Sequence, residues 1–329
     1  MSNLHTMENK ISVALCTYNG EKFIKEQLDS ILNQTLKVDE IIICDDKSTD
    51  KTIEIIKQYI KKFPEIIKLY QNETTLKSTK NFEKAISICS GSILFLSDQD
   101  DVWLDTKVEA YVNYFNQNTN IKVIASNGFC IDEQSKINEK YSLWDLPEFL
   151  KEQNTIIDYF KTITFFANLA TGASMALKRE IVSQVLPFPV VKNLYHDEWI
   201  ATIASFQNAF VLLNEKYFSY RIHSNQQVGG VFFDKTASEK KNFIEVFNLN
   251  NENISFHNFK IKLKRITDSY TKNKIFACVD HPFSYVFKDN LAAIEAYYLS
   301  TIKDMKKQYF IKSFFVLLSD KIANKRQLK

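Results

Sequence analysis

The stretch ILFLSDQDDVW, residues 93–103, decides where the fold places its polar site. An apolar run of strand length leads directly into three carboxylates within four positions, Asp98, Asp100 and Asp101. Like charges this close repel one another, so each is unfavourable without a counter-charge. The stretch therefore predicts a buried strand that ends at a site for a positively charged group.

The chain before this stretch alternates between two hydrophobic periodicities. Continuous apolar runs of strand length occur at ISVALC (11–16), EIIICDD (40–46) and IIKLY (66–70). Between them, segments such as TIEIIKQYIKKF (52–63) carry apolar residues three and four positions apart, and Pro64 ends that segment. Alternating strands and helices require right-handed crossovers. We therefore predict an α/β fold with a mostly parallel central sheet flanked by helices.

Composition narrows the class of protein. A chain of 329 residues favours one large domain with an appendage. The 42 basic and 39 acidic residues give a net charge of +3, which is too balanced to favour a nucleic-acid partner. The N-terminus has no apolar signal region and no run reaches transmembrane length, so we expect a cytoplasmic protein. The five cysteines lack metal-ligand spacing and are expected to be buried free thiols.

Two of the predicted strands end in acids: Asp45 and Asp46 follow the second, and the cluster at 98–101 follows the fourth. Ligands of open parallel sheets bind beyond the carboxyl ends of the strands, so we expect acids from both strands to face one crevice. Oxygen ligands suit Mg²⁺ or Mn²⁺ bridged to substrate phosphates, and the remaining acids could bind a ribose or a base. The alternative is capping, which suits Asp46, Ser48 and Asp50 better than the whole cluster, because one cap requires one carboxylate.

The first strand ends without a phosphate-binding loop. Its continuation CTYNGEKF (16–23) contains neither G-x-G-x-x-G nor G-x-x-x-x-G-K-S/T, so a metal must do more of the work of holding phosphates. A nucleoside diphosphate held by a metal at an acidic strand end suits sugar transfer, because the cation stabilises the charge on the departing diphosphate. Two alternatives stay open: a metal-dependent phosphohydrolase acting on nucleotide sugars, and a non-catalytic nucleotide-sugar binding protein.

Seven segments within residues 10–230 carry a family resemblance. They are VALCTYNGEKFIKEQLDSILNQT, EIIICDDKSTDKT, KNFEKAI, FLSDQDDVWLDTKV, ATGASMALKRE, YHDEWIA and YRIHSNQQVGG. In this order they resemble the motifs of family-two inverting glycosyltransferases of bacterial polysaccharide synthesis, and they are most similar to rhamnosyltransferase-like members. The resemblance implies a Rossmann-like GT-A domain over residues 1–230 and a helical C-terminal region over 231–329.

The resemblance also implies a donor site. Its nucleotide-binding positions correspond to Thr17 and Tyr18 at the base, Asp45 or Asp46 at base or ribose, Glu21 in the same pocket, Asp98 at the ribose, Lys80 near the nucleotide and Arg221 at the diphosphate. Asp98-Gln99-Asp100 matches the D-x-D motif, in which Asp100 would bind Mn²⁺ or Mg²⁺, with His223 as a second protein ligand. Related members often have glycine near Lys77, so the loop TLKST (75–79) departs from the family pattern.

The segment LYHDEWIAT (194–202) matches the position of the family's catalytic Glu-Asp pair, with His196 in place of the Glu. Inverting transfer requires a carboxylate base that takes the proton of the acceptor hydroxyl as that hydroxyl attacks C1 of the sugar. We predict Asp197 as this base, with Glu198 as the fallback. The alternative is that both acids merely favour a helix N-terminus by their charge.

The predicted activity is therefore metal-dependent, inverting transfer of a sugar from dTDP-rhamnose or a UDP-hexose. The acceptor would be a hydroxyl of a glycan or lipid-linked glycan in surface polysaccharide synthesis. The polar segment 226–230 suits a loop that closes over bound nucleotide. Trp144 is expected either to line an acceptor groove or to pack in a core.

The C-terminal region predicts helices over 258–270 and 290–327. In the second, aromatic residues and leucines are flanked by Lys306, Lys307, Lys312 and Lys321. Two interpretations stay open. This segment either packs on the main domain or lies at the surface of the cytoplasmic membrane.

Overall fold

A computed structural model of the chain describes residues 10–192, 194–224, 232–250 and 253–328. The chain divides into two compact units. The first combines Met1–Glu139 with Ala170–Gly229, and the second combines Lys140–Leu169 with Gly230–Lys329. The domain boundary expected at residue 230 stays a prediction, to which the structure adds that residues 140–169 group with the C-terminal helices. Within the described ranges, no helix is long and apolar enough to cross a membrane.

The elements follow one another along the chain. Up to residue 131 they are β1 (Ile11–Thr17), α1 (Ile24–Leu32), β2 (Glu40–Asp45), α2 (Thr52–Lys62), β3 (Ile67–Gln71), α3 (Lys77–Ile88), β4 (Ile93–Ser97), β5 (Val102–Trp103), α4 (Lys107–Gln117) and β6 (Val123–Ile131). The excursion into the second unit contains β7 (Lys140–Ser142), α5 (Leu146–Glu152) and α6 (Tyr159–Phe165). The first unit then resumes with β8 (Ala176–Lys178), α7 (Arg179–Val185), α8 (His196–Phe206) and β9 (Phe210–Arg221). The second unit ends with β10 (Phe232–Asp234), α9 (Ala237–Phe247), α10 (Phe256–Phe276), α11 (Ser284–Gln308) and α12 (Phe310–Ala323).

The central strands are apolar along their whole length because both faces of the sheet are covered. Every residue of β1, β2 and β4 is buried. Continuous apolar runs are typical of parallel strands packed between two layers of helices. The helices contribute one apolar stripe each, for example Leu28 and Ile31 of α1. The predicted alternation of strands and helices is confirmed over this part of the chain.

Eight strands of the described residues form one mixed, mostly parallel sheet in the order β3-β2-β1-β4-β8-β6-β9-β5. β1 runs parallel to β2 and β4, whereas β8 lies antiparallel between β4 and β6. Thr17 pairs with Asp45, and Leu15 pairs with Ser97. The acids after β2 and the acids after β4 therefore lie at the same edge of the sheet, as predicted from parallel pairing.

The second unit is mostly helical. It corrects two expectations and decides a third that was left open. The helix predicted over 290–327 is two helices, α11 and α12, separated at Tyr309 (φ −137°, ψ 54°). Trp144 belongs to a core, because it is buried with its ring edge-on to Phe232 at 5.4 Å. Cys278 is exposed, whereas the other four cysteines are buried as expected.

Candidate functional site

The carboxylate of Asp45 accepts hydrogen bonds from neighbouring groups of the protein. Its oxygens accept hydrogen bonds from the Thr17 hydroxyl at 2.8 Å, from the Ser48 amide at 2.8 Å and from the Ser48 hydroxyl. Thr17 and Asp45 are both fully buried. These bonds fix the turn after β2, and the predicted contacts of Thr17 and Asp45 with a nucleotide stay predictions.

Asp46 holds the loop that departs from the family pattern. Its carboxylate accepts the Leu76 amide at 2.6 Å, the Lys77 amide at 2.9 Å and the side-chain amide of Asn72 at 2.9 Å. Lys77 has a φ of 64°, in the left-handed region that glycine adopts most readily. A glycine near this position, which the family resemblance leads us to expect, would adopt this backbone conformation more readily than lysine does. Asp46 therefore satisfies backbone amides at the start of α3, far from it in sequence, and its predicted contact with a base or ribose stays a prediction.

Glu21 and Lys80 also have protein partners. The Glu21 carboxylate accepts the backbone N–H of Lys51 at 2.8 Å, at the start of α2. Lys80 forms an ion pair with both oxygens of Glu83, at 2.9 and 2.7 Å. Their expected contacts with the nucleotide remain predictions. Each contact would require the side chain to bind the nucleotide as well as its protein partner.

Tyr18 and Gln99 join the loop after β1 to the end of β4. The Tyr18 N–H donates to Oε1 of Gln99 at 2.8 Å, and its carbonyl accepts from Nε2 at 2.9 Å. A Cβ on Gly20 would lie 2.2 Å from Gln99 Oε1, so a larger residue there would displace the Gln99 side chain from these bonds. The Tyr18 ring itself is 50% exposed, at the carboxyl edge of the sheet. Sequence reasoning missed Gln99, the middle residue of the D-x-D motif.

The acids after β4 are poorly compensated. Burial, followed by Asp100 and Asp197, raises the pKa of Asp98 to about 8. Burial also raises the pKa of Asp101 well above its ordinary value. Oδ1 of Asp101 accepts the Arg221 N–H at 3.0 Å, but its buried Oδ2 has no hydrogen-bond partner among the described residues. This end of the sheet therefore favours an additional positive charge.

Asp100 and His223, the two predicted metal ligands, are in direct contact. Nε2 of His223 lies 2.9 Å from Oδ2 of Asp100, and the imidazole packs against Phe23 at 5.0 Å between ring centroids. Within the described ranges, no group of three or more His, Cys, Asp or Glu side chains could hold a metal. A cation bound here would take two protein side chains and complete its coordination with substrate phosphates and water, as Mg²⁺ sites commonly do.

Arg221 is buried rather than facing a ligand. Its guanidinium donates to the carbonyls of Asp100 at 2.8 Å and Asp132 at 3.0 Å and to the Glu26 carboxylate at 2.6 Å. It also lies over the ring of Phe23, 4.7 Å from the centroid. The predicted contact of Arg221 with the diphosphate stays a prediction, and it would require the guanidinium to leave some of these partners. The side chain positions the turn that carries Asp100.

Lys107 is a second buried cation that sequence reasoning missed. Its ammonium donates to the Ala173 carbonyl at 2.8 Å and lies 4.0 Å from the centroid of the Trp103 ring. Burial lowers the pKa of Lys107 to about 7, while Asp101 and Asp98 act to raise it. The signal that could have identified it is its place on the apolar face of α4, beside Val108, Tyr111, Val112 and Phe115.

Asp197 lies within electrostatic reach of the D-x-D motif. α8 begins at His196, so Asp197 stands in its first turn, and its Oδ1 accepts the Glu198 N–H at 2.7 Å. Burial raises the pKa of Asp197 to about 7, and Asp197 in turn raises the pKa of Asp98. The structure therefore brings the predicted base and the predicted donor-binding acids together. Glu198, the fallback base, is buried.

His196 does not replace the missing Glu as an acid. Its ring is buried and stacked on Phe82 at 4.0 Å, and within the described part of the chain neither ring nitrogen has a hydrogen-bond partner. Burial lowers the pKa of His196 to about 3, which keeps the imidazole neutral.

The loop predicted over 226–230 lies outside the described residues.

Comparison with known proteins identifies the family. The model of Glycosyl transferase family 2 matches residues 12–184, more than half of the chain. An uncharacterized glycosyltransferase of Methanocaldococcus jannaschii is 32% identical over 215 residues, which cover 64% of this chain and 70% of that protein. The dTDP-rhamnosyl transferase RfbG of Shigella flexneri is 28% identical over 227 residues, 65% of this chain and 73% of that protein. The phosphohydrolase and binding-protein alternatives receive no support from these relatives.

Solved structures agree on the fold. Staphylococcus aureus TarS 1–349 in complex with UDP-GlcNAc covers 90% of this chain and 80% of its own, with a TM-score of 0.52 and 16% identity. The mannosyltransferase PcManGT of Pyrobaculum calidifontis, in complex with GDP-Man and Mn²⁺, covers 97% and 81%, with a TM-score of 0.53 and 12% identity. The predicted fold class and the predicted enzyme class are confirmed. The chain belongs to glycosyl transferase family 2 and is a glycosyltransferase with a GT-A fold.

Proposed function

We propose that the protein transfers a sugar from a nucleoside diphosphate to a hydroxyl group, with inversion at C1 and with help from a divalent cation. The observation that carries the proposal is the contact of Asp100 with His223, beside an Asp98 whose pKa is raised by both Asp100 and Asp197. A metal-binding pair and a candidate base thus lie in one cluster of acids. The residue roles below are proposals built on that cluster.

The donor is a nucleoside diphosphate sugar. The exposed Tyr18 side chain offers a surface on which a base can stack. We assign Asp98 to the hydrogen bonds of a ribose. Among the similar proteins, RfbG is named a dTDP-rhamnosyl transferase, and TarS was solved with UDP-GlcNAc. We propose dTDP-rhamnose or a UDP-hexose as donor and a glycan or lipid-linked glycan of surface polysaccharide synthesis as acceptor. A cytoplasmic location is part of the same proposal.

The residues present fit a cation. Asp100 supplies a carboxylate and His223 an imidazole, and this mixed donor set favours Mn²⁺ over Mg²⁺, which prefers oxygen ligands alone. Oδ2 of Asp101 has no hydrogen-bond partner in the described chain, so the protein leaves part of this acid cluster unsatisfied, which supports the proposal of a cation there. PcManGT, which shares the fold, contains Mn²⁺. A cation held by Asp100 and His223 would offset the negative charge that develops on the leaving diphosphate.

Residues of this chain take up the proton of the acceptor hydroxyl and hold the donor-site residues in position. As the acceptor oxygen forms its bond to C1, the bond from C1 to the phosphate oxygen breaks, and its electron pair leaves with the diphosphate. The acceptor proton passes to a carboxylate oxygen of Asp197, whose raised pKa of about 7 suits a base that works near neutral pH. Arg221 and Gln99 hold the turn and the loop that carry Asp100 and Tyr18.

The test is binding of dTDP-rhamnose and UDP-hexoses with and without Mn²⁺, measured by calorimetry, together with Asp100→Asn. We expect Mn²⁺ to raise donor affinity and Asp100→Asn to remove that gain. Asp105→Asn is the matched control, because Asp105 is an exposed acid outside the cluster. An affinity gain from Mn²⁺ that survives Asp100→Asn would overturn the metal assignment.

A further inference from the structure

Helix α12 buries polar side chains and exposes apolar ones, the reverse of what is usual in a globular protein. The residues it buries, Ser313 and Asp320, are polar. Six of its large apolar side chains are exposed, each between 47% and 80%: Phe310, Ile311, Phe314, Phe315, Leu318 and Ile322. Monomeric proteins rarely leave contiguous apolar surface of this kind uncovered, and such patches mark interaction sites.

Polar contacts tie the C-terminal end of α12 to α11. Asp320 forms an ion pair with Arg326 and is 2% exposed. The Arg326 carbonyl accepts the Tyr298 hydroxyl of α11 at 2.8 Å, whereas the Ser313 hydroxyl donates to the Phe310 carbonyl at 2.8 Å within α12 itself. The attachment of this end to α11 therefore uses none of the exposed apolar side chains.

Basic residues surround the apolar face. Exposed lysines occur at positions 303, 306, 307, 312, 321 and 325. The acids between residues 303 and 326 are Asp304 and Asp320, and Asp320 is already neutralised by Arg326. Lys306 and Lys321 also line an apolar groove of about 380 Å³ whose walls include Phe310, Phe314 and Leu318.

We propose that α12 is a membrane-surface helix whose partner is a bilayer containing anionic lipid. An apolar face rimmed by lysines is typical of helices that lie at the boundary between headgroups and acyl chains. Anionic headgroups attract each lysine near the surface, and this attraction weakens as salt is added. A second copy of the chain is a poorer occupant, because two such faces packed together bring the lysines of both copies close to one another.

The direct test uses the full chain in vesicle flotation. We expect it to float with vesicles that mix phosphatidylglycerol and phosphatidylcholine, to float less as salt is raised, and to bind pure phosphatidylcholine far more weakly. Replacing Lys306, Lys312 and Lys321 together by Gln should weaken binding to the anionic vesicles by about 100-fold. Absence of binding to anionic vesicles by the unaltered chain would overturn the proposal.

A second variant tests the apolar face. Replacing Phe314, Phe315 and Ile322 together by Gln should weaken vesicle binding by at least about 100-fold, because these side chains would no longer enter the acyl region. The matched control replaces Ile156, Ile275 and Leu299 by Gln, which are also exposed apolar residues of the second unit but lie outside α12. Equal loss in both variants would show that the effect is not specific to α12 and would overturn the proposal.

Sedimentation of the same proteins decides between lipid and a second copy. The variants change only exposed side chains, so circular dichroism should show the folded chain in each. We expect the fractions of monomer and dimer to be the same with and without the α12 substitutions. A dimer that these substitutions dissociate, together with no binding to anionic vesicles, would assign the face to a second copy instead.

Discussion

Two strand ends at the same edge of the sheet carry the same residue type with opposite outcomes. After β2, Asp45 and Asp46 accept hydrogen bonds from nearby backbone and side-chain groups until their carboxylates are satisfied. After β4, burial and mutual repulsion raise the pKa of Asp98 and Asp101, and one buried oxygen of Asp101 has no partner in the described chain. Position at a strand end therefore does not identify a reactive acid. A buried carboxylate that the protein leaves without enough hydrogen bonds or a counter-charge is a better candidate for a reactive acid.

The largest expected effect concerns Asp197, the base that lies near the β4 acids. Asp197→Asn keeps the shape and hydrogen-bonding reach of the side chain but cannot take the acceptor proton. We expect kcat to fall by at least ~10²-fold, the lower range for general-base catalysis, while donor affinity stays within about threefold. Steady-state kinetics and calorimetry on the same protein measure the two quantities.

Glu198→Gln is the matched control for that prediction. Glu198 is adjacent but buried in α8, so its replacement should reduce turnover much less. An inactive Glu198→Gln beside an active Asp197→Asn would exchange the two roles. Full turnover in both variants would mean that this motif only supports the start of the helix.

The satisfied acids should contribute stability instead. Asp46→Asn replaces a carboxylate that accepts two backbone amides, so one amide loses its acceptor. We expect the free energy of unfolding to fall by about 1–3 kcal/mol, as measured by urea denaturation. Asp100→Asn removes a repelling charge and should leave that free energy within about 0.5 kcal/mol. The comparison between the two strand ends fails if Asp100→Asn destabilises the protein as much as Asp46→Asn.

The raised pKa of Asp197 predicts a particular pH dependence. The carboxyl is protonated below about pH 7 and is then unable to act as a base. We expect kcat/KM to fall about tenfold per pH unit below that value and to level off above it. The pKa of Asp98 is also raised, to about 8, so its titration could change donor binding and thereby kcat/KM. The control is the pH dependence of kcat at saturating donor, where changes in donor binding no longer affect the rate. An acid limb near 3.8, the ordinary aspartate value, would contradict the prediction.

The smallest expected effect concerns Gln99, which links the loop after β1 to the end of β4. Gln99→Ala removes two hydrogen bonds to the Tyr18 backbone, so the loop that presents the Tyr18 ring is held less firmly. We expect donor affinity to weaken by about fivefold, the equivalent of roughly one net hydrogen bond. Calorimetric titration measures it, and kcat at saturating donor should hardly change. Unaltered affinity would remove Gln99 from the donor site.

Much of the fold followed from short-range patterns. β1 to β4 and α1 to α4 were predicted from apolar runs and helical spacing, because each is long enough to show its periodicity. β5 and β8, of two and three residues, are too short to show one, and their pairing with β9, β4 and β6 depends on distant segments. The break at Tyr309 was also missed, because the apolar and basic pattern continues through it.

The sequence by itself determined that acids follow two neighbouring strands, that Asp100 and His223 belong to one motif set, and that the end of the chain is apolar and basic. Only the tertiary structure decided which acids are satisfied and which side chains supply positive charge. Asp46 finds its partners 26 to 31 residues away, and the backbone N–H of Arg221 reaches Asp101 across 120. Folding also encloses Lys107, whose pKa is lowered by burial while Asp101 and Asp98 act to raise it. These partnerships depend on burial and on long-range contact, which no local pattern encodes.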